Sequence, residues 1–279
     1  MAKRKRLGNY EKKIAEGRCQ GEGADYKPYI NNQDIASQGR ATRHKGIKAA
    51  RQVITLSDYE TKCRRLFEFS QSIVQIKEQY ALDINETRVI ADTLGIKHPT
   101  DPQTKELVPV DFDFFLEVKS GEGETKWVAR TFKQKDRLCD RRVIEKFEIA
   151  REWCRQNNIS WGIITEEELD STVCKNIEKV NSYYDLGSVG LKKMRAKERR
   201  KLIEYFVGKV LECSEPIRDL SVELEEEFEL DYGVGLSLFK YLIAHHIIEI
   251  DLRKELDVSD VVQVKLNRDA WIQYIKKSS

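Results

Sequence analysis

The stretch VPVDFDFFLEVKSGEGETKWVARTFKQKDRL, from Val108 to Leu138, decides the fold of the N-terminal part of this 279-residue chain. Two apolar-rich runs flank SGEGE, and glycines between such runs indicate a turn, so the stretch predicts a β-hairpin. The first run nevertheless contains Asp111 and Asp113, and Lys133 directly follows the second. Carboxylates and an ammonium group are costly to bury, which makes these residues candidates for a functional site.

The charges of the hairpin have a spacing that suits cleavage of a phosphodiester. Alternate residues of a strand share a face, so we expect Asp111 and Asp113 on one face, and Thr131 and Lys133 together on the partner strand. The spacing from Asp113 to Thr131-Phe132-Lys133 fits the loose nuclease pattern of an aspartate and then [E/D/Q]-x-K on the next strand, with Thr131 at the [E/D/Q] position. Carboxylates suit Mg²⁺, a bound metal lowers the pKa of its water, and a lysine offsets charge in the transition state.

A second set of charges in the same hairpin offers an alternative site. Glu117 and Lys119 of LEVK also form an E-x-K, with Asp101 upstream. However, HPTDP around Asp101 has no strand character, and Lys119 immediately precedes the turn. The third possibility is that the charges of the hairpin are purely structural.

The segments on either side of the hairpin predict a mixed α/β sheet with flanking helices. In TLSDYE, Ser57 and Glu60 form a capping box that begins a helix at Ser57. The cap alone explains Glu60, and we expect capping to compete with any metal for its carboxylate. Apolar residues recur at a helical period over 140–157, and ISWGIIT (159–165) is an apolar strand typical of a covered sheet. Hairpin, helix and strand require a crossover, which gives one domain over 51–180.

The remainder, 190–279, predicts a smaller domain. A basic helix over about 191–212 is followed by a helix that begins at Pro216, a third helix in LSLFKYLIAHHII, and two short strands in IIEIDL and VVQVKL. Three helices followed by a β-ribbon are the order of a winged helix. The third helix carries few cations and the second is acidic, so we favour contact with a protein over readout of DNA bases.

The net charge of +2 hides a strong asymmetry along the chain. Residues 1–51 contain 13 Lys/Arg against 5 Asp/Glu, whereas residues 216–260 contain 4 against 12. A polycation gains affinity for DNA by releasing counterions, so we interpret residues 1–50 as a basic arm with short ordered pieces. The candidate DNA contacts are Lys12, Arg18, Arg40, Arg43 and Lys135.

Several classes of protein are disfavoured by missing motifs. The sequence contains no P-loop, no G-x-G-x-x-G and no G-x-S-x-G, and its six cysteines include no C-x-x-C pair that would indicate zinc. No apolar run reaches the ~18 residues of a membrane span. The basic start MAKRKR lacks a following apolar region, so we expect no secretory signal and a cytoplasmic protein with reduced thiols.

Five stretches of the chain together resemble the TnsA family, the endonuclease subunit of heteromeric bacterial transposases of the Tn7 kind. They are EGRCQGEGADYKPYI, LSDYE, GIKHP, DFFLEVKSG and EKFEIAREWCRQNNISWGIITEEEL, which occur in family order and span roughly residues 11–180. The C-terminal part resembles the winged-helix domain of the family more loosely. The resemblance implies a catalytic domain of restriction-endonuclease fold.

The resemblance also implies the residues of the site. The family glutamate of LSDxE falls on Glu60, the aspartate ahead of the paired phenylalanines falls on Asp113 with Asp111 in reserve, and the lysine falls on Lys133. The glutamine of the family falls on Thr131, which is a departure, because a Thr hydroxyl or its backbone carbonyl is a weaker metal ligand. The metal implied is Mg²⁺, for which Mn²⁺ can substitute.

The activity implied by the resemblance is cleavage of the non-transferred strand at the 5′ ends of the transposon during cut-and-paste transposition. The implied partners are transposon-end DNA, a DDE-type (TnsB-like) transposase and an AAA+ (TnsC-like) ATPase regulator, on the nucleoid of a bacterial cytoplasm. One alternative is a catalytically weak DNA-binding or assembly subunit with a decayed site at Thr131. The other is an ordinary restriction enzyme that cuts without partners.

Overall fold

A computed structural model describes residues 10–30, 34, 42–121 and 123–277 of the chain. The chain divides into two compact units between Leu169 and Asp170. This boundary lies ahead of the one at 180 predicted from the sequence, because the helix that begins at Ser171 packs with the second unit. The functional roles assigned to the two parts remain predictions.

The first unit consists of a mixed sheet, a separate two-stranded hairpin and the helices around them. Its elements are α1 (Tyr10–Ala15), β1 (Thr42–Lys45), β2 (Gln52–Thr55), α2 (Asp58–Phe69), β3 (Ile73–Ala81), α3 (Ile84–Thr93), β4 (Asp111–Lys119), β5 (Thr125–Phe132), α4 (Arg141–Gln156) and β6 (Ser160–Ile164). The sheet has the order β3-β4-β5-β6, with β4 antiparallel to β3 and β5, and β6 parallel to β5. This is the mixed α/β sheet with flanking helices that the sequence predicts.

The hairpin predicted from the opening stretch is present as β4 and β5. The N–H of Ser120 donates to the carbonyl of Glu124 at 2.8 Å and closes the turn. Gly121 and Gly123 have φ angles of 111° and 80°, which residues with a Cβ atom rarely adopt. The two glycines of SGEGE therefore allow the chain to reverse here.

The helix and strand predicted after the hairpin are present as α4 and β6. Helix α4 carries the chain from the end of β5 to the start of β6, which lets these two strands run parallel. Its Ile149 and Ala150 pack in one core with Phe112, Phe115 and Ala129 of the sheet. Burial of each large apolar side chain contributes about 2 kcal/mol, so α4 is firmly held on the hairpin that carries the candidate acids.

Buried ion pairs tie α2 to β3. Arg64 of α2 is fully buried and donates to Glu68 at 2.6 Å and to Glu78 of β3 at 3.0 Å. Arg51, directly before β2, donates to both carboxylate oxygens of Glu78, at 2.6 and 2.8 Å. Two guanidinium groups thus share one buried carboxylate, and this network fixes α2 against the sheet.

The described part of the predicted basic arm is packed against the sheet. Tyr26 and Tyr29 are only 2% and 1% exposed. The Tyr26 hydroxyl donates to the carbonyl of Glu78, and the Tyr29 N–H donates to the carbonyl of Gln79, each at 3.0 Å. Residues 10–30 therefore belong to the folded first unit, because two aromatic residues anchor a segment that the sequence predicted as a basic arm with short ordered pieces.

The second unit is helical with a short ribbon. Its elements are α5 (Ser171–Asn181), α6 (Leu186–Val189), α7 (Ala196–Glu212), α8 (Ile217–Glu227), α9 (Val234–Ala244), β7 (Ile248–Glu249), β8 (Lys265–Leu266) and α10 (Arg268–Lys277). The three predicted helices and the ribbon occur in the predicted order as α7 to β8, and Pro216 is the N-cap of α8. Helix α9 ends before His245 and His246. In the described ranges, no helix has the length and apolarity needed to cross a membrane.

Candidate active site

Glu60 lies in the first turn of α2, where the Ser57 half of the predicted capping box is present, but the Glu60 carboxylate bonds the N–H of Leu56 instead of that of Ser57. Ser57 is the N-cap, and its hydroxyl oxygen accepts the N–H of Glu60 at 3.1 Å. In return, the Glu60 carboxylate accepts the N–H of Leu56 at 3.0 Å and the Ser57 hydroxyl at 3.2 Å. Glu60 therefore caps α2, and the cap fixes where its carboxylate lies.

The start of α2 meets the end of β5 at an aromatic stack. The rings of Tyr59 and Phe132 lie 4.7 Å apart and are nearly parallel. The N–H of Phe132 donates to Oδ2 of Asp113 at 2.7 Å. Tyr59 precedes Glu60, and Phe132 precedes Lys133. The stack and this hydrogen bond therefore bring the segments that carry the predicted site residues to one place.

Thr131 lies across the hairpin from Asp113. Phe114 and Arg130 are the last pair of the antiparallel ladder at this end, and Asp113 and Thr131 are the residues just beyond it. The N–H of Phe132, the residue after Thr131, bonds the Asp113 carboxylate. Thr131 therefore belongs to the segment of β5 that adjoins Asp113.

Lys133 directly follows the last residue of β5. Its N–H donates to the carbonyl of Ile164 at the end of β6, at 2.9 Å. The preceding residue, Phe132, bonds to Asp113 of β4. The backbone of Lys133 is thus held where β4, β5 and β6 meet, and the side chain is partly buried.

The two acids of the site perturb each other. Burial raises the pKa of Asp113 to about 8, with further increases from the Glu60 and Asp111 carboxylates, and the Phe132 N–H opposes them. Burial also raises the pKa of Glu60, against the lowering effect of the Leu56 N–H and the Ser57 hydroxyl. Neighbouring carboxylates that resist ionisation are characteristic of functional sites.

We expect Asp113→Asn to lose less stability than the wild type when the pH of a metal-free solution is raised. Between about pH 4, where an aspartate in the unfolded chain loses its proton, and about pH 8, the folded wild type holds a proton that the unfolded chain has lost. The free energy of unfolding therefore falls as pH rises through this window.

Because asparagine does not ionise, the free energy of unfolding of Asp113→Asn should fall less with rising pH than that of the wild type. The difference should be at least about 1 kcal/mol, or ~2 °C in Tm. Melting curves of both proteins in EDTA, from about pH 5 to about pH 9, measure the difference. Parallel declines would contradict the raised pKa of Asp113.

The second aspartate of β4 has a different partner. Oδ1 of Asp111 accepts from the ammonium of Lys146 in α4 at 2.5 Å. Burial acts to lower the pKa of Lys146, but the Asp111 carboxylate more than offsets this effect and the pKa is raised. Both aspartates interact with Glu60, since the Asp111 carboxylate raises the pKa of Glu60 and the Glu60 carboxylate raises the pKa of Asp113. The ion pair between Asp111 and Lys146 is what favours Asp113 as the metal ligand. Sequence patterns did not identify Lys146, because it lies 35 residues from Asp111 on a helix with many charges.

Gln79 of β3 is the other site residue that the sequence did not reveal. It is 3% exposed, and its Nε2 donates to Oε2 of Glu60 at 3.3 Å. Glu78 pairs with Phe114 and Tyr80 with Phe112, so Gln79 lies opposite Asp113 in the ladder. A glutamine in a polar stretch such as QIKEQY carries no local signal of such a contact.

The alternative set of charges is engaged elsewhere. The Asp101 carboxylate accepts the N–H groups of Gln103 and Thr104, both at 2.8 Å, and these bonds lower its pKa. Glu117 accepts the hydroxyl of Thr125 across the hairpin at 2.6 Å. Asp101 therefore closes a local turn, and its contacts do not link it to the E-x-K of LEVK.

Two of the candidate DNA-contacting residues have acidic partners within the protein. The Arg18 guanidinium contacts the carboxylate of Asp34 and donates to the carbonyl of Tyr29 at 2.9 Å. Lys135 forms an exposed ion pair with Glu167 at 2.6 Å. Exposed ion pairs of this kind contribute at most about 1 kcal/mol, so the pairing leaves Lys135 able to exchange its partner for a phosphate.

Of the three remaining candidates for DNA contact, the structure describes Lys12 and Arg43. Lys12 lies in α1 and Arg43 lies in β1, and both side chains are exposed. Arg40 falls outside the described residues. Contact of any of the five with DNA stays a prediction.

The donor set of Glu60 and Asp113 suits a hard divalent cation. Burial and the Glu60 and Asp111 carboxylates raise the cost of ionising Asp113, and a cation beside Glu60 and Asp113 would offset this cost. Mg²⁺ is commonly bound through one or two carboxylates and keeps several waters, so two acids suffice. Within the part of the chain that the structure describes, no three His, Cys, Asp or Glu side chains form a fuller cluster.

Two family models match the chain, one after the other. The model described as "TnsA-like endonuclease N terminal" matches residues 70–166, and the model described as "TnsA endonuclease C terminal" matches residues 168–252. The junction between the matches lies close to the boundary of the two compact units at Leu169 and Asp170. The same division of the chain thus emerges from packing and from family comparison.

The chain is also similar to the Transposon Tn7 transposition protein TnsA of Escherichia coli. The two sequences are 30% identical over 262 residues, which cover 91% of this chain and 92% of that protein. The likeness runs through both compact units and leaves little of either sequence uncovered. The chain therefore belongs to the TnsA endonuclease family.

Proposed function

We propose that the chain is the Mg²⁺-dependent endonuclease subunit of a Tn7-like transposase, and that it cleaves the non-transferred strand at the 5′ ends of the transposon. The observation that carries this proposal is the pair of buried carboxylates of Glu60 and Asp113, of which the first raises the pKa of the second. Lys133 follows Phe132, whose N–H bonds the Asp113 carboxylate. Membership of the TnsA family and the name of the relative as a transposition protein support it.

In this proposal Glu60 and Asp113 hold the cation, and Thr131 contributes its hydroxyl or its carbonyl more weakly. Mn²⁺ can replace Mg²⁺ because both accept carboxylate oxygens and water. A bound divalent ion stabilises charge on the phosphate and lowers the pKa of its water. The hydrogen bond from Phe132 to Asp113 keeps the acid in place without using both of its oxygens.

The reaction is hydrolysis of one phosphodiester bond. The oxygen of a water forms the new bond to phosphorus, the bridging oxygen leaves with the electron pair of the broken bond, and protons move from the attacking water to the leaving oxygen through solvent. Lys133 orients the water and offsets the negative charge that develops on the phosphate. Its backbone is held at the end of β5 by the hydrogen bond to the carbonyl of Ile164.

The partners of the proposed reaction are transposon-end DNA, a DDE-type transposase and an AAA+ ATPase regulator, in a bacterial cytoplasm on the nucleoid. Exposed cations such as Lys12 and Arg43 suit the DNA. The second unit suits a protein partner, since α8 is acidic and the Tyr232 side chain after it is 91% exposed. We also propose that this unit is a winged-helix domain, because its three helices α7, α8 and α9 are followed by the two short strands β7 and β8.

The proposal is tested by mapping the cuts at transposon ends in a reaction that contains the partner transposase and regulator. With the chain and Mg²⁺ present, both strands should be cut. Omission of the chain should leave only the strand cut by the transposase. Equal cutting of the non-transferred strand with and without the chain would refute the proposal. A reaction of the chain alone is uninformative, because the proposed activity depends on its partners.

A catalytically weak assembly subunit is the second candidate, and the threonine at position 131 favours it. This hypothesis predicts normal binding of DNA and partners with no change in cutting for Lys133→Ala or Glu60→Gln. The nuclease hypothesis predicts that either substitution removes cutting of the non-transferred strand. The same strand-mapping reaction therefore separates the two.

A further inference from the structure

The backbone of Gln79 is strained inside a strand. Its φ angle is 49°, in the left-handed region that residues with a Cβ atom rarely adopt. Such conformations persist only where the surroundings hold them, and they concentrate at functional sites. Gln79 is buried in β3, and the Tyr29 N–H bonds its carbonyl at 3.0 Å.

The strain changes where two consecutive side chains point. In a regular strand, neighbouring side chains lie on opposite faces. Here Glu78 accepts from Arg64 of α2 at 3.0 Å, and Gln79 donates to Glu60 of the same helix at 3.3 Å. The left-handed residue thus lets β3 present two successive polar side chains to α2.

The amide of Gln79 reaches Glu60 from outside the capping box. Oε1 of Glu60 accepts from Ser57, and Oε2 accepts from Leu56 and from Gln79. A carboxylate has about four lone-pair sites, so these three donors leave about one for another ligand. Ser57 and Leu56 belong to the start of α2, whereas Gln79 belongs to the sheet and lies opposite Asp113.

We propose that Gln79 is a positioning residue, whose side-chain amide orients the Glu60 carboxylate so that its remaining lone pair faces the cation shared with Asp113. This inference rests on the proposed function, because it assumes a divalent ion at these acids. The capping contacts alone hold Glu60 to its own helix. Gln79 adds a hydrogen bond that ties the carboxylate to the strand beside Asp113.

Two variants distinguish the effect of the Gln79 side-chain amide from the effect of the strained Gln79 backbone. Gln79→Met keeps the bulk and the strained backbone but removes the donor, whereas Gln79→Gly removes the donor and relieves the strain. Binding of Mn²⁺ to the full chain is measured by titration calorimetry, and Tm is measured in EDTA. Both variants should bind Mn²⁺ about 10-fold to 100-fold more weakly than the wild type, as loss of a residue that orients a metal ligand typically does.

The metal-free Tm values of the two variants should differ from each other while their losses of Mn²⁺ affinity agree, because the affinity follows the amide and not the stability. Asp113→Asn serves as the control for the metal site. If Asp113→Asn weakens Mn²⁺ binding and both Gln79 variants stay within about threefold of the wild type, the positioning role is wrong and the metal site stands. If the wild type and Asp113→Asn bind Mn²⁺ equally or not at all, the metal site itself is refuted, and the positioning role with it.

Discussion

Asp113→Ala is expected to leave transposon ends cut on the transferred strand only, in a reaction that contains the wild-type transposase and regulator. The substitution removes a proposed metal ligand whose carboxylate is already fixed by the Phe132 N–H at 2.7 Å. Charge stabilisation by a bound metal is worth several kcal/mol, and each 1.4 kcal/mol is about tenfold in rate. Cleavage of the non-transferred strand should therefore fall by more than about a thousandfold.

Asp101→Ala is the matched control, since it removes an aspartate from the alternative charge set. Asp101 accepts the N–H groups of Gln103 and Thr104 in an exposed turn. Its loss should leave cleavage within about twofold, because surface changes away from a site have small effects. The assignment of Asp113 to the site would be wrong if Asp113→Ala still cut both strands. It would also be wrong if Asp101→Ala lost the cut on the non-transferred strand.

Glu78→Gln is expected to lower the free energy of unfolding by about 3–5 kcal/mol, the range found when one partner of a buried ion pair is removed. The carboxylate is 2% exposed and accepts three guanidinium hydrogen bonds, from Arg51 and from Arg64. Glutamine keeps the size but presents an NH₂ group and no charge. Arg64 would then rely on Glu68 alone, and Arg51 would lose its carboxylate partner.

Glu148→Gln is the matched control for this prediction. Glu148 pairs with Arg151 on the surface of α4, with side chains 40% and 55% exposed, and such pairs contribute about 0.3–0.5 kcal/mol. Urea denaturation of both variants measures the difference. A Glu78→Gln chain within about 1 kcal/mol of the wild type would show that the network does not hold α2 in place.

The elements with local signals could be predicted from the sequence. The capping box placed the start of α2 at Ser57, because the serine and Glu60 interact within one turn. The glycines of SGEGE placed the hairpin, since both require positive φ. Periodic apolar residues predicted α4, and the continuous apolar run ISWGIIT predicted β6. In each case the residues that decide the structure lie close together in the chain.

Strand β3 could not be delimited in the same way. Its sequence IVQIKEQYA contains Gln75, Glu78 and Gln79, all less than 10% exposed in the structure. A buried glutamate is acceptable only because Arg51 and Arg64 reach it from other elements. The pattern of the strand therefore depends on distant partners, which no local period reveals.

The structure of the basic N-terminal segment also depends on contacts with residues far away in the sequence. Its Lys and Arg content favoured an arm, yet Tyr26 and Tyr29 bury it against β3 through contacts about 50 residues away in sequence. The candidate site was predicted from family motifs and from the pattern of acids. Lys146 and Gln79 were missed because each joins the site through one long-range contact.

The most direct test of the central claim, that Glu60 and Asp113 share one divalent cation, is anomalous diffraction from crystals of the full chain soaked in Mn²⁺. We predict a peak in contact with both carboxylates, and no such peak in crystals of Asp113→Asn soaked in the same way. A Mn²⁺ peak at other residues, with Glu60 and Asp113 left without an ion, would contradict the account.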